Sequence, residues 1–498
     1  MIQLVWFKRD LRVRDHAPLF EASRRGPVIC LYVLEPSLIA LEEFDAAHQV
    51  FINQSLENLR HELRKLGGEL TLRVGEVPEV FEALLGEQPV SHLWAHEETG
   101  TYASYRRDRR VRAWAKAKGV PFTELPSNGV VRRLRTRDGW AQQWQARMQQ
   151  PLVPAPKKST SAKLEHGHVP TLKDLGLPPS TKSLTPTGGE HCAYEVLNGF
   201  LYERGQFYRS EMSSPVTAFE GSSRVSPYLA WGNVSVRQVY HAALARRREL
   251  QETGREEDEG WLPSLTSFLS RLRWHDHFVQ KLEDQPSLEF LNTNRGFDGL
   301  REDEFNEDYF EAWKAGQTGY PMIDACMRCI QETGWLNFRM RALVTSFASY
   351  HLWLHWRETG LHLGKHWIDF EPGIHWTQMQ MQSGVTGINT IRIYSPRKQV
   401  EDQDPEGIFI KRWVPELAEV PRPYLSEPHT MPQLVQGMAG CVIGKDYPAP
   451  IVDPKEAYDK AKRRMTEAKF SPEVQALKNQ VYKRHGSRAT PSRQRSGW

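Results

Sequence analysis

Residues 313–413 constrain this chain most, because they set a few charges into a crowded aromatic interior. The stretch opens Trp313-Lys314-Ala315-Gly316-Gln317-Thr318-Gly319-Tyr320-Pro321-Met322-Ile323-Asp324-Ala325 and continues through Gly334-Trp335-Leu336-Asn337-Phe338-Arg339-Met340-Arg341. It closes with Trp367-Ile368-Asp369-Phe370-Glu371, Arg392-Ile393-Tyr394-Ser395-Pro396 and Asp404-Pro405-Glu406-Gly407. Ten of the sixteen tryptophans lie between Trp231 and Trp413, so a large apolar core belongs here. Buried charge is costly unless paired or bound to something polar. The acids and arginines of this stretch therefore point to a polar ligand or a tight internal ion pair.

A chain of 498 residues exceeds one core, which predicts two or three domains. Its 39% apolar and 25% charged residues are ordinary for a globular protein, and a net charge of +4 says little about partners. Five scattered cysteines argue against a disulfide framework and for a reducing, cytoplasmic setting. Lys8, Arg9 and Asp10 interrupt the early apolar run, so no signal peptide is read. No apolar run is long enough to span a membrane, and Ser346, Ser349, His351 and His355 break the 342–356 stretch.

Over residues 1–130, short apolar strands alternate with helical patterns. Strands are expected at 2–7, 28–33, 70–74, 90–94 and from Phe122, and helices at 48–66, 77–85 and 105–118. This alternation predicts a Rossmann-like, doubly wound parallel sheet. No G-x-G-x-x-G follows the first strand, which argues against a standard dinucleotide site. Residues 131–192 read as a long interdomain linker rich in Pro, Ser and Thr. Its Arg132, Arg133, Arg135 and Arg137 are either solvated or placed for phosphate. Residues 193–475 carry helical spacing throughout, including one long helix over 336–356, and predict an all-helical domain. Residues 476–498 read as a basic tail, disordered from Lys483 onward.

Several motifs carry chemistry. Ser222-Ser223-Arg224-Val225-Ser226 precedes a helix, where small hydroxyl residues wrap phosphate oxygens or simply cap the helix. His275 and His277 stand two apart on a helix and so diverge, which makes them poor joint metal ligands. Trp274, with Arg271 nearby, fits an aromatic and cationic cavity wall. Cys326-Met327-Arg328-Cys329 lacks the further ligands that a cluster or zinc needs, so core packing is the expectation and no metal is assigned. Arg341 and Asp369 suit a buried pair that hydrogen-bonds the edge of a planar heterocycle, with Glu371 as a second acceptor. An ordinary interdomain salt bridge is the plainer alternative.

Together, Val5-Trp6-Phe7-Lys8-Arg9-Asp10-Leu11-Arg12, the 222–229 segment, Thr318–Arg328, Gly334–Arg341 and Asp404–Leu417 resemble the photolyase/cryptochrome family, in order, over residues 1 to about 425. The resemblance implies a helical domain that holds FAD, and blue-light-driven electron transfer from reduced FAD to a pyrimidine photoproduct flipped out of UV-damaged DNA. It implies that Tyr208 and Ser222–Ser226 surround the FAD phosphates, with Phe268 near the adenine. His275 takes a position where the family usually has an arginine facing the phosphates. Arg341 pairs with Asp369 beside the flavin ring, and Phe370 and Glu371 follow the flavin edge and ribose.

The same resemblance exposes departures. The lesion-binding glutamate of cyclobutane-dimer photolyases falls at Arg271, and its Asn and Met fall at Phe338 and Ala342. His375 falls where an Asn usually faces flavin N5. The adjacent histidines of animal (6-4) photolyases are replaced by Asn337-Phe338. Trp274 is kept. Of the flavin-reducing tryptophans, Trp356 and Trp376 match, while the distal position holds Asp303 and its neighbours. His96–Gly100 and Tyr102 lie at a strand end suited to an antenna chromophore, a folate or a deazaflavin, though without the folate pattern.

The leading expectation is a DNA photolyase-type lyase, a monomer, with Arg271, Trp274, Phe338 and Gln399 at the lesion and Arg397 and Lys398 at nearby phosphates. The alternative is a cryptochrome-type blue-light receptor without repair activity.

Overall fold

The first strand, β1 (Ile2–Phe7), is apolar at nearly every position and so is suited to a sheet covered on both faces. In the computed structural model, which describes residues 1–254 and 259–487, β1 is the centre of a five-stranded parallel sheet. The order is β3 (Leu70–Val74), β2 (Val28–Leu34), β1, β4 (Val90–His96) and β5 (Phe122–Leu125). Leu4 pairs with Ile29 on one side and Leu93 on the other. Helices Ala46–Lys65, Val77–Glu87 and Tyr102–Lys118 supply the crossovers. Asp45 caps the first, with His48 returning the bond in a capping box. Gly119, at φ +68°, ends the third. This is the doubly wound α/β fold the strand rhythm predicts.

The connection after β5 is more structured than its composition suggests. It contains a helix, Trp140–Met148, whose Trp140, Trp144 and Met148 are buried. Ser161 bridges to Val28, and Leu72 donates to the carbonyl of His166, so the segment lines the open edge of β2 and β3. Arg132 pairs with Glu124 at 3.1 Å, and Arg137 lies 3.9 Å from Asp284. Those two arginines therefore face inward, not toward phosphate, while Arg133 and Arg135 are exposed.

From Glu190 onward the described residues are helical or irregular, apart from an isolated bridge between Ile443 and Tyr447. The expected single helix over 336–356 is broken. It runs Phe338–Ser346, loosens into a π turn over Phe347–His351, and restarts at Trp356. Between them Trp353 adopts φ +56°, its ring clasped by the guanidinium groups of Arg301 and Arg464. Hydropathy could not show this break, because Trp353 and Leu354 are as buried as the helices on either side. The tail also differs from expectation. Lys483, Arg484 and His485 end a regular helix, Pro472–His485, and His485 is buried against Gln285. Arg488, Arg493 and Arg495 lie outside the described residues.

The α/β and helical parts meet through backbone-directed hydrogen bonds. His48 bonds the Trp367 carbonyl at 2.7 Å, and Arg12 donates to the Gly232 carbonyl at 3.0 Å. Gly232, at φ +72°, lies so close to the Arg9 carbonyl that a Cβ would collide with it. No helix among the described residues is long and apolar enough to cross a membrane.

Candidate cofactor and nucleic-acid site

The serine segment leaves the turn Ala218–Gly221 and enters the short helix Ser226–Ala230. Arg204 holds it from outside, donating to the carbonyls of Glu220 at 2.6 Å, Ser222 at 2.7 Å and Ser223 at 3.4 Å. The hydroxyls of Ser222, Ser223 and Ser226 make no hydrogen bond to any described residue. They are half-buried donors without a partner, as a ligand with anionic oxygens requires. Val225 is buried beneath them. Arg224 takes φ +56° and stacks between Phe219 and Trp335, 4.1 Å from each ring. Burial draws its pKa down to about 10, against the pull of Asp369. Its guanidinium thus braces the turn between two aromatic faces.

Asp369 is the counterpart of this cradle. Arg341 donates from Nε to the Leu336 carbonyl and from Nη2 to Asp369 Oδ2, both at 2.8 Å, and lies 4.1 Å over the Trp367 ring. Asp369 Oδ1 is buried and has no hydrogen-bond partner among the described residues. An orphaned carboxylate oxygen is expensive, and a ligand N–H or O–H would relieve it. The free hydroxyls and this free oxygen fit a nucleotide with a diphosphate and a donor-bearing ring.

Glu371 follows two residues later. Burial raises its pKa, opposed by the charges of Arg9 and His275. Sequence reasoning missed Arg9, which donates to the Phe370 carbonyl and stacks 4.6 Å over Trp231. His275 is lowered by burial, but hydrogen bonding and charge from Asp276 carry it upward overall. Asp276 is itself fixed by the Gly129 N–H at 2.8 Å and the Trp144 indole N–H at 2.7 Å. Gly129 lies just before, and Trp144 within, the stretch that reads as linker, which hides them from sequence patterns.

His375 bonds the Gly360 carbonyl through Nε2 at 2.8 Å, and burial drops its pKa to about 4. The ring is neutral, Nε2 carries the hydrogen, and Nδ1 is left as an acceptor. It stands 5.1 Å from the Phe370 ring and 4.8 Å from Trp376. Trp376 and Trp356 are fully buried with ring centres 6.0 Å apart. Trp356 donates to Asn292 at 2.7 Å, whereas Trp376 Nε1 has no partner among the described residues.

The expected DNA-facing residues divide. Arg271 and Trp274 are exposed on one helix, Trp261–Asp284, and Phe338 is 55% exposed. Arg271 sits 3.9 Å from Met212 Sδ, and Asn337 donates to the Met212 and Ser213 carbonyls, so the 212–213 turn joins Arg271 to Phe338. Lys398 is exposed. Arg397 is already paired with Glu401 at 2.8 Å and Glu427 at 3.0 Å. Gln399 is only 6% exposed, which sets it back from the surface. Tyr208 and Phe268 are core aromatics with centroids 6.0 Å apart.

Other motifs are structural. Cys326 and Cys329 are buried free thiols, and burial pushes Cys329 up to about 12. Asp324 accepts from Thr318 at 2.8 Å and Gly319 at 3.1 Å, fixing the turn before its own helix. His16, Asp10 and His96 cluster, but His16 Nδ1 accepts from the Leu19 N–H, so its Nε2 hydrogen points at Asp10 rather than a metal. A cavity of about 110 Å³ lies past the sheet's carboxyl end, lined among others by Trp6, Glu35, Phe44, Glu98 and Arg107, and it borders the cofactor site at Arg9 and Phe370. It takes in Glu98 of the expected antenna segment but neither His96 nor Tyr102.

Comparison with known proteins agrees with this architecture. Residues 3–141 match the DNA photolyase family and residues 268–467 match the FAD binding domain of DNA photolyase. The chain is 30% identical to the cryptochrome DASH of Gloeobacter violaceus over 485 residues, covering 90% of this chain and 93% of that one. A class III photolyase from Agrobacterium tumefaciens superposes with a TM-score of 0.82 at 26% identity, covering 94% and 98%. An archaeal photolyase from Sulfolobus tokodaii, described with two FAD molecules, superposes at 0.76 with 26% identity, covering 94% and 100%. A sheet-to-helix architecture, a cradle with free donors and a half-paired buried carboxylate converge with these matches: the chain belongs to the photolyase/cryptochrome family and carries its FAD-binding domain.

Proposed function

We propose that this protein is a blue-light-driven DNA photolyase acting on UV-induced pyrimidine photoproducts. The observation that carries the reading is the pairing of free serine hydroxyls with an unsatisfied Asp369 oxygen in a domain of the FAD-binding family. FAD, when bound in its reduced form, supplies an electron on illumination. The chain's own residues do the rest. Ser222, Ser223 and Ser226 donate to the diphosphate, and the Arg341–Asp369 pair fixes the ring edge. His375, neutral and held by Gly360, presents Nδ1 as an acceptor. Phe370 and Trp376 exclude water. Arg271, Trp274 and Phe338 form the exposed rim that meets a flipped lesion, and Lys398 meets backbone phosphate.

For a second chromophore, a folate or a deazaflavin, we propose the 110 Å³ cavity as the seat. Glu35 Oε2 and Glu43 Oε1 are buried there without partners among the described residues, and burial pushes Glu35 up to about 7.

A cryptochrome-type receptor is the second reading, favoured by Arg271 and Phe338 at the rim and by the cryptochrome DASH relative. Purified protein with reduced FAD, given DNA with a cyclobutane dimer or a (6-4) product and illuminated, separates the two. Restored bases support repair. Failure with both lesions, with light-dependent reduction intact, supports the receptor.

A further inference from the structure

We propose that Arg9 is a positioning residue for the cofactor: it ties the serine helix to the Asp369 segment and so sets the spacing between the two halves of the FAD site. The inference rests on the proposed reading of Ser222–Ser226 and Asp369 as FAD ligands. Arg9 comes from the loop after β1, in the α/β part, whereas those ligands belong to the helical part.

The guanidinium reaches both halves. Its Nε donates to the Ala230 carbonyl at 2.8 Å, at the end of the helix Ser226–Ala230 that opens with the last cradle serine. Its Nη2 donates to the Phe370 carbonyl, one residue after Asp369. The group also lies 4.6 Å over the Trp231 ring, and Trp231 Nε1 donates to the Ile368 carbonyl at 2.9 Å, one residue before Asp369. The carbonyls on either side of Asp369 are thus held by Arg9 and by the ring on which Arg9 stacks. His48 adds a third hold, on the Trp367 carbonyl, at 2.7 Å.

The loop that carries Arg9 is itself fixed. The Leu11 N–H donates to the Trp231 carbonyl at 3.3 Å, Asn233 Nδ2 donates to the Leu11 carbonyl at 3.2 Å, and Asp10 accepts from the Lys8 N–H at 2.7 Å. Arginine suits a strut because its planar fork offers donors in fixed, divergent directions, whereas lysine is a compact charge on a flexible stem. Without the strut, the Ala230 and Phe370 carbonyls lose that donor, and FAD must order two loosened segments as it binds. The cost appears as weaker retention of the cofactor. Plain electrostatics is the competing account, since the Arg9 charge also acts on Glu371.

The test is the rate of FAD release from the full-length holoprotein, followed as flavin fluorescence rises after dilution. Arg9→Met should speed release about tenfold. Arg9→Lys should match Arg9→Met within about twofold, because it keeps the charge but not the fork. Asp369→Asn should add clearly less in the Arg9→Met background than in wild type, because both changes loosen one segment. Trp231→Phe keeps an aromatic ring and removes the Ile368 donor; it should speed release about threefold, and it carries the test if Arg9→Met does not fold. Release at the wild-type rate from Arg9→Met or Trp231→Phe overturns the proposal. So does full retention in Arg9→Lys, which assigns the effect to charge, and so do Arg9→Met and Asp369→Asn effects that simply multiply. If Asp369→Asn alone releases FAD at the wild-type rate, the Arg341–Asp369 reading fails, and the Arg9 and Trp231 variants still decide the strut.

Discussion

Arg341 Nη2 meets Asp369 Oδ2 at 2.8 Å, while Asp369 Oδ1 is buried with no donor to accept from among the described residues. Half of this carboxylate is satisfied by the chain and half is left for a ligand. Asp369→Asn keeps the shape and removes the charge that pairs with Arg341. Charge-assisted hydrogen bonds contribute about 1.5–3 kcal/mol, so FAD affinity should fall roughly 10- to 100-fold. Flavin retained per chain after gel filtration measures this, and an unchanged ratio contradicts the pairing.

The serine hydroxyls make a second prediction. Each neutral hydrogen bond to an anion contributes about 1–2 kcal/mol, so Ser223→Ala should weaken FAD binding several-fold and the Ser222/Ser223/Ser226 triple alanine far more. Protein folded by circular dichroism but pale in colour is the expected outcome. Full flavin content in the triple variant would show that these hydroxyls do not hold the phosphates.

Trp356 and Trp376, at 6.0 Å, are close enough to exchange an electron, whereas Trp353 is flanked by two guanidinium groups that oppose positive charge on its ring. Trp356→Phe should slow light-driven flavin reduction at least about tenfold, at a stability cost of about 2–4 kcal/mol, because it leaves a void in the core and strands the Asn292 acceptor. Trp353→Phe should leave the photoreduction rate within about twofold of wild type, if the phenylalanine preserves the packing. Bleaching of the flavin band under blue light with an external reductant reads both.

Acid should destabilise the fold through its buried histidines. Burial lowers His48 and His375 to about 4, with ordinary values near 6.5 when unfolded. Below pH 6.5 the unfolded chain binds protons that the folded chain refuses. The stability is complete above 6.5 and is lost as pH falls toward 4, by up to about 1.4 kcal/mol per pH unit for each histidine. Melting temperatures from pH 7.5 to 5 test this, and His48→Gln should flatten the slope.

On the proposed DNA face, Arg397 already has two carboxylate partners and Lys398 has none among the described residues. Lys398→Ala should lower DNA affinity and reduce the salt dependence by about one ion, whereas Arg397→Ala should change it less. Binding titrations at several salt concentrations decide between them.

Much of this was legible in sequence because its signals are local. Residues 2–7 and 28–34 announce buried parallel strands by unbroken apolar runs, and the order of motifs from Ser222 to Trp413 gives the family. The Arg341–Asp369 pair is visible as charge inside an apolar stretch. What stayed hidden depends on long-range contact. Arg9 reaches Phe370 across 361 positions, and Asp276 is fixed by Gly129 and Trp144, neither of which leaves a periodic trace. The break at Trp353 arises from cations packed on its ring, supplied by Arg301 and Arg464. His485 looked like part of a loose basic tail because its burial depends on the 261–284 helix.

The most direct measurement is the visible absorption spectrum of the purified protein, with flavin released by denaturation and counted against chain. The account predicts a yellow or blue protein with about one FAD per chain, lost from the Asp369→Asn and triple-serine variants while the fold persists. A folded wild-type protein that is colourless and stays so after incubation with FAD would contradict it.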